Sequence, residues 1–290
     1  MLLITAVLGC VTAQKAEEDE GPRVLDLRIE EMAELWSRMD AARAAGEPQV
    51  LVAELEADLE GAGGRDPWKT MLVAHALLPV DPDEAWGRFR ELTVSPGSCP
   101  PAEHWAWLGM AKIALGWDLH DQAAALIQQA LENAPSSPPA LALSGLLALA
   151  RGEEEEGARL LREVFSQDEA YLSSPGAAVT LSKLELEAGR VDQARSHLEG
   201  VIERFPLRVE ALEMLAGCAE LEEKPAEAAG HLRTALEAAP ARADIAARLA
   251  SLEQAAGNDR GALEAWSLYS QLRPDEIEAW RSQVVLAAGL

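Results

Sequence analysis

The sequence predicts an all-α fold built from consecutive helical hairpins, and three observations lead there. Proline recurs at Pro206, Pro240 and Pro274, alanine at Ala194, Ala228 and Ala262, and leucine at Leu181, Leu215 and Leu249, each set spaced by 34 residues. A period of that length marks a helix–turn–helix unit that cannot bury its apolar face alone and stacks on its neighbours. Alanine, leucine, glutamate and arginine dominate a chain of 290 residues that is 49% hydrophobic and only 4% aromatic, a helix-forming composition poor in β-branched runs. Glycines at 116, 152, 189 and 257 fall where first helices would end, ready to take a left-handed turn.

Met1 to Leu8 reads MLLITAVL, apolar but too short to span a bilayer, and it runs into Gly9 and Cys10. Across Val7, Leu8, Gly9 and Cys10 the segment resembles a bacterial lipoprotein signal. That resemblance implies that residues 1–9 are removed and that the Cys10 thiol is acylated, which palmitate would label. Two departures from the pattern are the lack of a preceding lysine or arginine and the bulk of Leu8. Residues 10–24 carry Glu17, Glu18, Asp19 and Glu20 with no apolar periodicity, which reads as a solvated acidic tether. Val11 in place of an aspartate implies, by the same resemblance, the periplasmic side of the outer membrane. The alternative is a cytoplasmic chain whose N-terminus is merely apolar.

Residues 25–98 read as two divergent hairpins. Ile29, Met32, Leu35, Trp36 and Met39 share one helical face, and Gly46 with Pro48 ends that helix. A second helix runs near Val50 to Leu59 and breaks at Gly61, Gly63 and Gly64. Asp66–Pro67 and Asp81–Pro82 are cap and first-turn pairs that open two further helices, with Trp68, Leu72, Ala85, Phe89 and Leu92 as their apolar residues. The loop from Ser95 to Pro101 is the one candidate boundary.

Residues 101–276 then hold five hairpins. The first has Trp105, Leu108 and Gly109, followed by Ala123, Ile127, Ala130 and Pro135; the second has Leu141, Ser144, Gly145 and Gly152, then Gly157, Leu161 and Val164. The third has Leu181, Ser182, Gly189, Ala194, Leu198, Val201 and Pro206, and the fourth Leu212, Leu215, Ala216, Ala228, Leu232, Ala235 and Pro240. The fifth has Leu249, Ala250, Gly257, Ala262, Trp266, Tyr269 and Pro274. Small residues at Gly109, Gly145, Ala216 and Ala250 let a partner helix approach closely, and each proline stops a helix for want of an amide donor. Glu169 stands where a proline is expected. Residues 277–290, with Trp280, Val284 and Leu286, read as a helix capping the last hairpin.

These residues at these spacings resemble the tetratricopeptide repeat, with the turn from Gly116 to Ala123 two residues longer than the family pattern. The resemblance implies a right-handed superhelical solenoid whose concave face is lined by fixed positions of each first helix. Those positions fall at Met110 and Ile113, Leu146 and Leu149, Lys183 and Glu187, Glu213 and Glu220, and finally Ser251 and Gln254, an inner wall that passes from apolar to acidic. Lys183 is the only cation among them, so the basic clamp that some relatives use on acidic peptide tails is absent. The alternative is that the apolar group is closed by neighbouring hairpins and the acidic group only solvates the surface.

Chemistry is not expected. A formal charge of −24, from 49 acidic and 25 basic side chains, repels nucleic acid and anionic membranes and leaves basic or apolar protein segments as partners. None of His75, His104, His120, His197 or His231 has a metal-ligand spacing, and His104 and His120 read as solvated helix ends. Gly61 to Gly64 lacks the strand and the lysine of a phosphate-binding loop, and no serine stands in a nucleophile elbow. Cys218, among Ala216, Gly217 and Ala219, reads as a small buried hydrophobe that does not pair with Cys99. The expectation is therefore a scaffold with no catalytic residue, metal or cofactor, membrane-held through Cys10 and recruiting an envelope protein in assembly, secretion or motility. A soluble cytoplasmic adaptor is the alternative, and self-association through exposed hairpin ends stays open.

Overall fold

The computed structural model describes residues 28–94, 99–167 and 169–276, and among these the chain is α-helix joined by turns. The predicted signal, Cys10, the acidic tether and the helix at 277–290 lie outside the described residues. Among the described residues two compact units form, one of residues through Ala42 with Glu47–Ala177, the other of Arg43–Gly46 with the residues from Ala178 onward.

The first unit holds α1 (Ile29–Ala45), α2 (Pro48–Gly61), α3 (Pro67–Leu77), α4 (Pro82–Thr93), α5 (Pro100–Gly116), α6 (His120–Asn133), α7 (Pro138–Ala150), α8 (Glu154–Val164) and the short α9 (Glu169–Ser173). Helix α1 buries Met32, Leu35, Trp36 and Met39, the stripe its periodicity marked. Asp66 caps α3 by accepting from the backbone N–H of Trp68 at 2.9 Å and Lys69 at 3.1 Å, and Asp81 caps α4 through Glu84 at 3.0 Å. Each such cap is worth about 1 kcal/mol. The core is built on Met32, Met71, Phe89, Trp105 and Leu108, all fully buried. Large apolar side chains of this kind each contribute roughly 1.5–3 kcal/mol on burial.

Gly109 has a different neighbour from the one expected. A β-carbon there would lie 2.3 Å from Phe89 Cζ, so the missing side chain admits a ring from α4, the helix before its own hairpin. Gly145 does face its hairpin partner, since its β-carbon would meet Leu161 at 2.9 Å and the Gly157 carbonyl at 3.3 Å.

The second unit takes α10 (Pro175–Glu187) from Ala178, then α11 (Val191–Arg204), α12 (Val209–Leu221), α13 (Pro225–Ala238), α14 (Ala243–Ala255) and α15 (Asp259–Leu272). Ala194, Ala228 and Ala262 have no exposed surface, and Leu198 and Leu232 are equally buried. Trp266 and Tyr269 are only half-buried against the core of α12 to α15. Helices α11, α13 and α15 end just before Pro206, Pro240 and Pro274. The last amides, those of Phe205, Ala239 and Arg273, still donate to Val201, Ala235 and Tyr269 at 2.8–2.9 Å.

One turn joins the helices of every hairpin from α5 onward. Its middle residue is left-handed: Asp118 (φ 58), Gly152 (φ 82), Gly189 (φ 74), Glu223 (φ 59) and Gly257 (φ 75). The next N–H reaches back five residues, from Leu119 to Ala114, Glu153 to Ala148, Arg190 to Glu185, Lys224 to Ala219 and Asn258 to Glu253, at 2.7–2.9 Å. This bond satisfies a carbonyl that the helix end leaves open. The first turn is therefore the same length as the others, and Asp118, not Gly116, supplies its left-handed residue. Asp118 and Gly152 lie 34 residues apart, whereas Gly152 and Gly189 lie 37 apart. The extra residues make α9, where the Tyr171 ring packs 5.1 Å from that of Phe165.

Candidate interaction surface

The turn residues fix the register, and with it the positions that share a place on each first helix. Stepping back 34 residues from Leu146 and Leu149 leads to Lys112 and Leu115. Met110 and Ile113, the residues the sequence suggested, are each only 5% exposed and belong to the core. Lys112 and Leu115 are half-buried instead. The Lys112 ammonium sits 4.5 Å above the Trp36 ring, a cation–π contact that anchors it to α1. Leu146 is half-buried on α7. Leu149 turns toward α8, where a β-carbon on Gly157 would meet it at 2.6 Å. In the first unit the strip is thus Lys112, Leu115 and Leu146, with Leu149 partly absorbed into its hairpin.

In the second unit Lys183 and Glu187 are exposed one helical turn apart, 3.9 Å between charged atoms. Glu213 and Glu220 do not form an acidic wall. Arg242, the residue just before α14, donates from Nη2 to Glu213 at 2.9 Å, and the Arg248 guanidinium pairs with the Glu220 carboxylate. Arg248 also crosses Gly217, its Nη2 3.6 Å from where a β-carbon would be. Arg242 in addition holds Asp244, whose carboxyl its hydrogen bond lowers to about 2. Ser251 bonds back to the Ala247 carbonyl at 3.1 Å, and Gln254 accepts from the Trp266 indole at 3.3 Å. The apolar-to-acidic gradient is therefore corrected: Glu213 and Glu220 of α12 are each balanced by an arginine, Arg242 at the N-terminal end of α14 and Arg248 within it.

The expectation for His104 does not hold. His104 is fully buried rather than a solvated helix end, with Nε2 2.9 Å from the Ser137 hydroxyl that caps α7. His75 is equally buried, its Nε2 donating to the Trp105 carbonyl at 3.1 Å, with the rings of Trp36, Phe89 and Trp105 around it. Burial lowers the imidazole of His75 to about 3 and that of His104 to about 4, so both are neutral links in the packing. The sequence does not reveal them because their hydrogen-bond partners lie at least 30 residues away.

Cys99 and Cys218 are both buried, and burial raises the Cys218 thiol. Among the described residues no group of three or more His, Cys, Asp or Glu side chains is placed to hold a metal ion. No helix among them is long and apolar enough to cross a membrane.

Residues 179–243 match the family model of the tetratricopeptide repeat. Among solved structures, a chain of the APC/C hetero-tetramer Cut9–Hcn1 superposes with a TM-score of 0.58 at 15% identity over 98% of this chain. This protein spans about half of that one, 52%. PilW, a widely conserved type IV pilus biogenesis factor, matches with a TM-score of 0.52 at 18% identity, covering 73% of this chain and 96% of its own. PilF of Pseudomonas aeruginosa gives 0.50 at 19%, covering 65% and 85%. No curated protein matches the chain in sequence. The fold is that of tetratricopeptide-type helical hairpins, an architecture of protein-interaction modules.

Proposed function

We propose that the protein is a non-catalytic scaffold, held at the periplasmic face of a bacterial membrane by an acylated Cys10, that recruits an envelope protein through the partly exposed strip of its first helices. The observation that carries the reading is the register of that strip. Lys112 and Leu146 in one unit, and Lys183, Gly217 and Ser251 in the other, occupy matching places on their own first helices, at which the side chains change while the buried positions stay small or apolar. Repeated packing with varied surface residues is how a helical array is adapted to a partner. The tether at 10–24 gives a lipidated Cys10 reach, and multiple acylation makes a lasting anchor where one chain would not. PilW is named as a type IV pilus biogenesis factor, and assembly of an envelope machine is the kind of task such a scaffold would serve.

Two arms test this. Palmitate labelling of the full chain should be lost in Cys10→Ala; an unlabelled wild type removes the anchor and leaves a soluble adaptor. Capture from detergent-solubilised envelopes should recover a defined protein that Leu146→Glu releases. If neither Leu146→Glu nor Glu213→Lys alters what is captured, the strip is not the binding surface.

A further inference from the structure

The shared turn of the five hairpins shows where one of them departs from the rest. On either side of its left-handed residue stand Arg151 and Glu153, Ala188 and Arg190, Glu222 and Lys224, and Ala256 and Asn258, all polar or small. In the α5–α6 turn the same two places hold Trp117 and Leu119, which remain 42% and 44% exposed. The turn itself does not need them, since its backbone hydrogen bond and left-handed residue are the same as in the other four. Trp117 is joined by a second indole, that of Trp86 on α4, with ring centroids 5.7 Å apart and planes tilted by 34°. Between Trp117 and Leu119 the Asp118 carboxylate is 94% exposed, 3.9 Å from the His120 imidazole. Asp83, one helical turn before Trp86, is exposed as well.

We propose that Trp86, Trp117 and Leu119 form a docking ledge for a partner segment that carries arginine or lysine beside an apolar side chain. Its residues are not those of the first-helix strip. Indole faces attract cations, and a guanidinium stacks on them while its N–H groups reach a carboxylate. Asp118 and Asp83 supply carboxylates at the rim, and Leu119 supplies the aliphatic contact. The net charge of −24 draws basic segments toward the surface and repels phosphates.

The test uses the full chain and a labelled synthetic peptide of alternating arginine and leucine, with a copy in which glutamate replaces arginine. Wild type should bind the basic peptide with quenching of tryptophan fluorescence and should ignore the acidic copy. Replacing Trp117→Ser together with Leu119→Ser should weaken binding by about tenfold or more while the helical circular dichroism stays unchanged, because both side chains are exposed. Asp118→Asn, which keeps a residue at ease in the left-handed region, should weaken binding and flatten its salt dependence. Failure of wild type to bind, equal binding of the acidic copy, or an unchanged affinity in the double variant overturns the proposal. So does a dimer in sedimentation that the double variant dissolves, which assigns the ledge to a second copy of the chain.

Discussion

The backbone of Gly109 lies so close to the Phe89 ring that a β-carbon would be only 2.3 Å from Cζ. Phe89 is fully buried, and the His75 ring packs 4.8 Å from it, so the ring cannot withdraw cheaply. Gly109→Ala should destabilise the first unit by about 1–3 kcal/mol, the usual cost of overpacking. Gly217→Ala is the control, since its β-carbon would meet only the flexible end of Arg248 at 3.6 Å. There the gain in helix propensity, about 1 kcal/mol, should win. Urea denaturation of the two variants checks the opposite signs.

Glu223 is left-handed at φ 59 in a turn where the hairpins on either side in the chain use Gly189 and Gly257. A side chain in that conformation costs about 1–2 kcal/mol, partly offset by the freedom glycine has in the unfolded chain. Glu223→Gly should therefore raise stability by about 1 kcal/mol, and Gly257→Ala should lower it by about as much. Thermal melts of both variants read this directly.

Acid should loosen the first unit before its carboxylates titrate. His75 and His104 are held neutral by burial to about pH 3 and 4, whereas in the unfolded chain they bind protons near pH 6.5. Below pH 6.5 the unfolded state thus binds more protons, and stability declines as pH falls through this window toward the folded values. His104→Gln keeps a donor for Ser137 and removes one proton site. Its stability should fall less steeply than that of wild type between pH 6.5 and 5. Equal slopes would contradict the assignment.

The second unit was legible in sequence because its packing rule is local: Ala194, Ala228 and Ala262 repeat at a fixed distance, and all are buried. The first hairpin of the array was read out of step because Trp105 and Gly109 mimic the pattern two residues early. Gly109 instead answers to Phe89, a neighbour set by tertiary packing. Gly116 stands two residues before the left-handed Asp118, and the turn at Glu223 has no glycine to mark the helix end. The interval between Gly152 and Gly189, three residues longer than the others, was visible and marks α9. Glu213 and Glu220 read as acidic because their partners, Arg242 and Arg248, lie 29 and 28 residues on, across a helix pair. Charge on such a strip is a property of two adjacent hairpins, and reading one hairpin at a time counts only half of it.

Whether the first-helix strip meets a partner is settled most directly by a photo-crosslinking residue placed at 146 on α7 or at 159 on the exposed face of α8, in the full chain within its own cells. A specific adduct should form from position 146 and not from 159. Adducts from 159 alone, or none from 146 in cells where the chain is abundant, would contradict the account.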